Sequence, residues 1–147
     1  MRAIVQRVSK AEVRSGGRLL GKIGRGFAVL LGVARDDREA DADYILDRVV
    51  GLRVFADAAG KMNLALNRVE GALLVVSQFT LMADTSQRRP SFTGAASPAD
   101  ARRLYEYFLS RARLLDVSVE QGEFGAEMEL ELVNEGPVTI ILDSRIR

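Results

Sequence analysis

Phe27-Ala28-Val29-Leu30-Leu31-Gly32-Val33 is apolar throughout. A strand with one solvated face alternates apolar and polar residues, so a run without alternation belongs to a strand buried on both faces. Gly71-Ala72-Leu73-Leu74-Val75-Val76 has the same character and delivers Ser77 at its end. Working outward from these runs, residues 2–8 read as a strand, with Ala3, Val5 and Arg7 on one face and Ile4, Gln6 and Val8 on the other. Residues 10–14 continue it, Ser15-Gly16-Gly17 turns the chain, 18–23 returns, and Gly24-Arg25-Gly26 turns again into the first apolar run.

Two helices are marked by their caps and spacing. Asp36 is placed as an N-cap with Glu39 as its capping-box partner, and Ala42, Ile45, Leu46, Val49 and Leu52 follow at helical intervals. Ser97-Pro98 gives the second helix an N-cap and a proline at its first position. That helix packs Ala101, Leu104, Tyr105, Phe108, Leu109, Ala112 and Leu115 on one side. Between the helices, Arg53-Val54-Phe55 reads as a short strand and 63–70 fits no single element. Residues 83–97 form a long polar loop of the kind that often carries function. Three strands near 116–121, 127–133 and 137–143 close the chain. The expected fold is α+β: a mostly antiparallel, curved, barrel-like sheet with two main helices, in a single domain over 1–147.

The chain has 147 residues, 48% of them apolar, with no histidine and no cysteine. Without those two residue types a Ser-His-Asp triad, a Cys-His dyad and an imidazole or thiolate zinc site are impossible. Chemistry must rest on backbone dipoles, hydroxyls, amides, carboxylates, Lys or Arg, or on groups the substrate brings. No metal and no cofactor is expected. Asp36-Asp37 is better explained as helix N-terminal charge. No apolar run is long enough for a signal peptide or a membrane span, and a soluble, cytoplasmic protein is expected.

Net charge is +1 but unevenly spread: residues 1–35 carry +7, 36–70 carry −3, 71–115 carry +3 and 116–147 carry −6. Brought to one face, the two basic blocks could hold a phosphate backbone. Placed apart, they are solvated strand faces opposite acidic neighbours. Eighteen arginines against three lysines suit bidentate phosphate contacts, though a biased genome gives the same ratio.

Ser77-Gln78-Phe79-Thr80 leaves a buried strand end, where rigid support meets open access. Amides there can face a developing oxyanion. Thr80 has no histidine to activate it and would be a poor nucleophile. The plainer alternative is that Gln78 and Thr80 cap a bulge and Phe79 fills core. Gly136-Pro137 is either an ordinary hairpin turn or a pair of bare carbonyls lining a pocket and rejecting a side chain by sterics and lone-pair repulsion. Arg7 is either an exposed edge-strand residue or an inward one that must find partners.

At these residues the chain resembles the D-aminoacyl-tRNA deacylases of the bacterial and eukaryotic type. The likeness starts at Met1-Arg2-Ala3-Ile4-Val5-Gln6-Arg7-Val8 and runs through Gly60-Lys61-Met62-Asn63-Leu64, Val76-Ser77-Gln78-Phe79-Thr80-Leu81 and Arg89-Pro90-Ser91-Phe92. It ends at Asn134 and Gly136-Pro137-Val138-Thr139. Where many relatives carry a glycine-containing basic run before Arg89, this chain has Thr85-Ser86-Gln87-Arg88. The resemblance implies hydrolysis of the ester between a D-amino acid, or wrongly attached glycine, and the tRNA 3′ end. It implies a homodimer with active sites at the subunit interface. It implies that Ser77, Gln78, Phe79 and Thr80 form the catalytic wall. Gly136 and Pro137, with Val138 and Thr139, would bind substrate as a chiral selector lent to the partner, and Arg7 would brace it.

Overall fold

The computed structural model describes all residues from 1 to 147. In chain order its strands and α-helices are β1 (Arg2–Ser15), β2 (Arg18–Ile23), β3 (Gly26–Gly32), α1 (Glu39–Gly51), β4 (Phe55–Ala56), β5 (Met62–Leu64), β6 (Ala72–Ser77), α2 (Pro98–Arg113), β7 (Ser118–Gln121) and β8 (Glu129–Asp143). Short 3-10 turns occupy Leu66–Val69 and Phe79–Met82. No helix is long and apolar enough to cross a membrane.

β1 organises the sheet. One of its edges is paired along most of its length with β8, antiparallel. Its other edge is shared: β3 takes Arg2 to Val8 and β2 takes Ala11 to Ser15, both antiparallel. β6 then adds to β3 and β7 to β6, both parallel. β2 folds back over β6 and β7, so the sheet is nearly closed into a barrel. At Gly21 a Cβ would lie 2.9 Å from the Gln121 carbonyl oxygen, and only glycine permits that approach.

The two apolar runs are β3 and β6, and each separates two cores. On one face Phe27, Val29, Leu31, Leu73 and Val75 pack against Ile45 and Val49 of α1 and Leu104 and Phe108 of α2. On the other, Ala28, Leu74 and Val76 meet Val8, Val13 and Ile23 inside the barrel. Each such side chain contributes about 1.5–3 kcal/mol by leaving water, which is why neither strand tolerates a polar face. The buried Tyr105 hydroxyl donates to the Val75 carbonyl at 2.9 Å, and burial pushes the phenol up to about 12. The bond fixes α2 against β6 two residues before Ser77.

The fold class follows the sequence, with local corrections. α1 starts at Glu39, not at a cap on Asp36. The neighbouring Asp37 carboxylate is engaged by the Met1 ammonium and the Ala34 N–H, each at 2.6 Å, and the Arg38 N–H is taken by Asp41 at 2.9 Å. Leu115 lies past the end of α2 and is exposed. Arg53 and Val54 precede the strand expected to include them, and residues 63–70 divide between β5 and a 3-10 turn. The largest correction concerns the C-terminus: 127–133 and 137–143 are not two strands joined by a turn. They are one strand, β8, with Gly136-Pro137 in its middle.

Candidate active site

A register defect builds the first half of the site. β8 pairs Thr139 with Gln6 and Asn134 with Val8. Four residues, Glu135 to Val138, therefore face the single residue Arg7. The surplus leaves the sheet as an excursion, and Gly136 and Pro137 at its tip are exposed. The Gly136-Pro137 peptide bond is cis, and Gly136 has φ +122°, a backbone state that favours glycine. The excursion is tied down from both sides. Asn134 accepts the Val138 N–H at 3.1 Å through Oδ1 and donates to Thr139 Oγ1 at 2.9 Å through Nδ2. Arg7 donates through Nε to the Glu135 carbonyl at 3.1 Å and through Nη1 to the Val54 carbonyl. Its guanidinium thus finds carbonyl partners rather than an acid. A Cβ on Gly136 would lie 2.8 Å from Arg7 Nη2.

The second half follows β6. Gln78 donates its N–H to the Leu31 carbonyl at 2.8 Å, the last rung before the chain turns away from the sheet. The 3-10 turn then starts, leaving the N–H groups of Phe79 and Thr80 without an acceptor inside it. Gln78 Nε2 donates to Thr80 Oγ1 at 2.5 Å. Phe79 and Thr80 are exposed, so the alternative in which Phe79 fills core is not what the chain does. Beside them a cleft of about 270 Å³ has Leu30, Val76, Met128 and Leu130 as its apolar lining and Ser77 to Phe79 on its rim. Arg2 secures the far side of the turn, donating to the Leu81 carbonyl at 2.8 Å and pairing with Asp143 at 2.9 Å.

One chain does not bring the halves together. The turn after β6 is held at Arg2 and the excursion at Arg7, about 16 Å apart at the rise of a strand. The excursion sits on β8, whose outer edge has no strand beside it, and Val133 and Ile141 are exposed on either side. Three further residues belong to the site: Asn134 and Arg2, which stand in quoted stretches of the likeness without a role of their own there, and Met128, which no sequence pattern marks.

The match to the family model described as D-Tyr-tRNA(Tyr) deacylase spans residues 4–143. The chain belongs to that family. By class it is therefore an aminoacyl-tRNA deacylase, a carboxylic ester hydrolase, as its motifs implied. It is 57% identical over 146 residues to a D-aminoacyl-tRNA deacylase of Anaeromyxobacter dehalogenans, covering 99% of this chain and 98% of the relative. It is 54% identical over 145 residues to the corresponding protein of Symbiobacterium thermophilum, covering 98% and 96%. Among solved structures, the c-Myc DNA Unwinding Element Binding Protein superposes with a TM-score of 0.93 at 36% identity, covering 97% of this chain and 98% of that one.

Proposed function

We propose that the chain hydrolyses the ester joining a D-amino acid, or misattached glycine, to the 3′ end of tRNA, releasing free amino acid and tRNA. The observation that carries this reading is the Gly136-Pro137 excursion: an exposed dipeptide without a bulky side chain, anchored on either side where Arg7 holds the Glu135 carbonyl and Asn134 the Val138 N–H. An L side chain meets the Gly136 and Pro137 carbonyl oxygens and is rejected. A D side chain points to solvent, and glycine presents only hydrogen. Discrimination by exclusion makes the identity of the D side chain nearly irrelevant.

Two copies make the site. The excursion of one protomer covers the Ser77–Thr80 wall of its partner, in a homodimer with two equivalent centres. The separation of the halves within one chain and the open edge of β8 support that arrangement. The apolar cleft beside Ser77 and Phe79 accepts the terminal nucleoside. The Phe79 and Thr80 amides hold the ester carbonyl oxygen as charge develops on it. Water attacks the carbonyl carbon, the bond to the 3′-oxygen breaks, and the substrate's own 2′-hydroxyl relays the proton to that leaving oxygen. Thr80 positions rather than attacks. Its oxygen already accepts a hydrogen bond from Gln78, and no base lies beside it.

The test is parallel incubation with D- and L-aminoacyl-tRNA. Rapid release of the D form alone is expected, and equal release of both overturns the reading. A second reading, single-stranded nucleic-acid binding without turnover, draws on the likeness to a protein named for binding DNA. It predicts retention of the RNA with its ester intact.

A further inference from the structure

The loop between the 3-10 turn and α2 is built rather than loose. Asp84 and Ser91 exchange backbone bonds, Asp84 N–H to Ser91 carbonyl at 2.8 Å and Ser91 N–H to Asp84 carbonyl at 3.0 Å. The Asp84 carboxylate accepts the Ser86 N–H at 2.9 Å. At its far end Arg35 donates its N–H to the Gly94 carbonyl at 3.0 Å and its guanidinium to the Thr93 carbonyl. This frame presents two arginines that find no partner in the chain and an aromatic ring left partly exposed. Arg88 and Arg89 are exposed and engage no acid and no hydrogen-bond acceptor, unlike Arg2, Arg7, Arg35 or Arg53. Phe92 is 36% exposed and packs edge-to-face on Phe79, itself 54% exposed, with ring centroids 5.2 Å apart. In that arrangement both rings remain partly open to solvent. Asp84 is the only acid between Leu81 and Ser97, and its carboxylate is occupied by Ser86.

Unpaired cations within four residues of a partly exposed aromatic pair, one ring of which lines a nucleoside-sized cleft, have the chemistry that single-stranded nucleic acid requires. Bases stack on the rings and guanidinium groups meet phosphates. We propose that Phe92, Arg88 and Arg89 hold the unpaired nucleotides immediately 5′ of the tRNA's terminal adenosine, extending the site beyond the ester. The inference rests on the deacylase reading above. It assigns this loop to affinity for the RNA strand and leaves the ester chemistry to the Ser77–Thr80 wall.

The experiment compares kcat/KM on a D-aminoacyl-tRNA with kcat/KM on the D-aminoacyl ester of adenosine alone, across a salt series. For the paired change Arg88→Ala and Arg89→Ala, the plot of log kcat/KM against log salt on tRNA becomes shallower by about 1.4, at about 0.7 for each phosphate contact on a single strand. Phe92→Leu keeps the apolar volume but removes the ring face, and lowers kcat/KM on tRNA by about tenfold. Both variants match the wild type on the adenosine ester. Equal losses on the two substrates would overturn the proposal, since the loop would then only support the wall. Unchanged values on tRNA would overturn it as well. Wild-type protein that leaves both substrates intact defeats the deacylase reading itself, an outcome distinct from either of these.

Discussion

Gly136 leaves no room for a side chain beside Arg7, and substitutions there separate geometry from chemistry. Gly136→Ala places a methyl 2.8 Å from Arg7 Nη2 at φ +122°. An L residue in a left-handed backbone state costs about 1–2 kcal/mol, and the guanidinium must also move. We expect a lower midpoint in urea denaturation, together with a fall of at least about tenfold in the D-over-L ratio of kcat/KM. Thr80→Ala tests the other half. If Thr80 only positions, single-turnover deacylation falls by less than about a hundredfold, within the range of one lost hydrogen bond to a charged group. Total loss would indicate a covalent route through its hydroxyl. Arg7 shows what residue-level reading achieves and where it stops. Its alternation with apolar neighbours raised the need for partners, but the partners are carbonyls of Glu135 and Val54, which carry no mark in sequence.

Elements that end near the site are fixed by interactions at their termini. Ser97 caps α2, accepting the Asp100 N–H at 3.2 Å. Ser97→Ala is expected to cost about 1 kcal/mol, read as a shift in thermal midpoint. The start of β1 is held to the end of β8 by Arg2 and Asp143. Burial disfavours the Asp143 anion, but the Arg145 N–H and the Arg2 guanidinium outweigh it and hold the carboxyl below its ordinary value of 3.8. A depressed folded-state value means that this stabilisation is complete above the ordinary carboxylate range and is lost as pH falls through the lowered value. Denaturation midpoints should therefore drop below about pH 4, and less steeply in Asp143→Asn. The helices and the two apolar strands were legible because periodicity and capping are local. The start of α1 was not, because Asp37 is drawn to Met1, which the antiparallel pairing of β1 and β3 brings beside it from 36 residues away. Nor was β8, because glycine and proline side by side signal a turn wherever neighbouring strands are unseen.

At the scale of the whole molecule, the two motifs proposed to share one site lie apart within a single chain. Their separation is set by the registers of β3 and β8 on opposite edges of β1, which no stretch of sequence reveals alone. A shared site between protomers has a quantitative signature. When a variant defective only in the excursion is exchanged with one defective only in the Ser77–Thr80 wall, half the dimers are mixed at random, and each mixed dimer has one sound centre. The excursion variant alone should cleave L-aminoacyl-tRNA, and exchange should halve that cleavage, because half of its intact walls then sit under a sound excursion. Unchanged L cleavage would mean that each chain completes its own centre.

The surplus on β8 has a counterpart: Ser9 is an extra residue on β1 between the pairs Val8–Asn134 and Lys10–Val133. Together they work like an expansion joint, taking up a mismatch in length so that neither flank has to slide. Ile4–Ile141 on one side and Val13–Leu130 on the other stay in step independently. Shortening the chain inside the joint should leave the barrel standing, and, on the proposed role of the excursion, let D- and L-aminoacyl-tRNA be cleaved alike: an enzyme made blind without being broken.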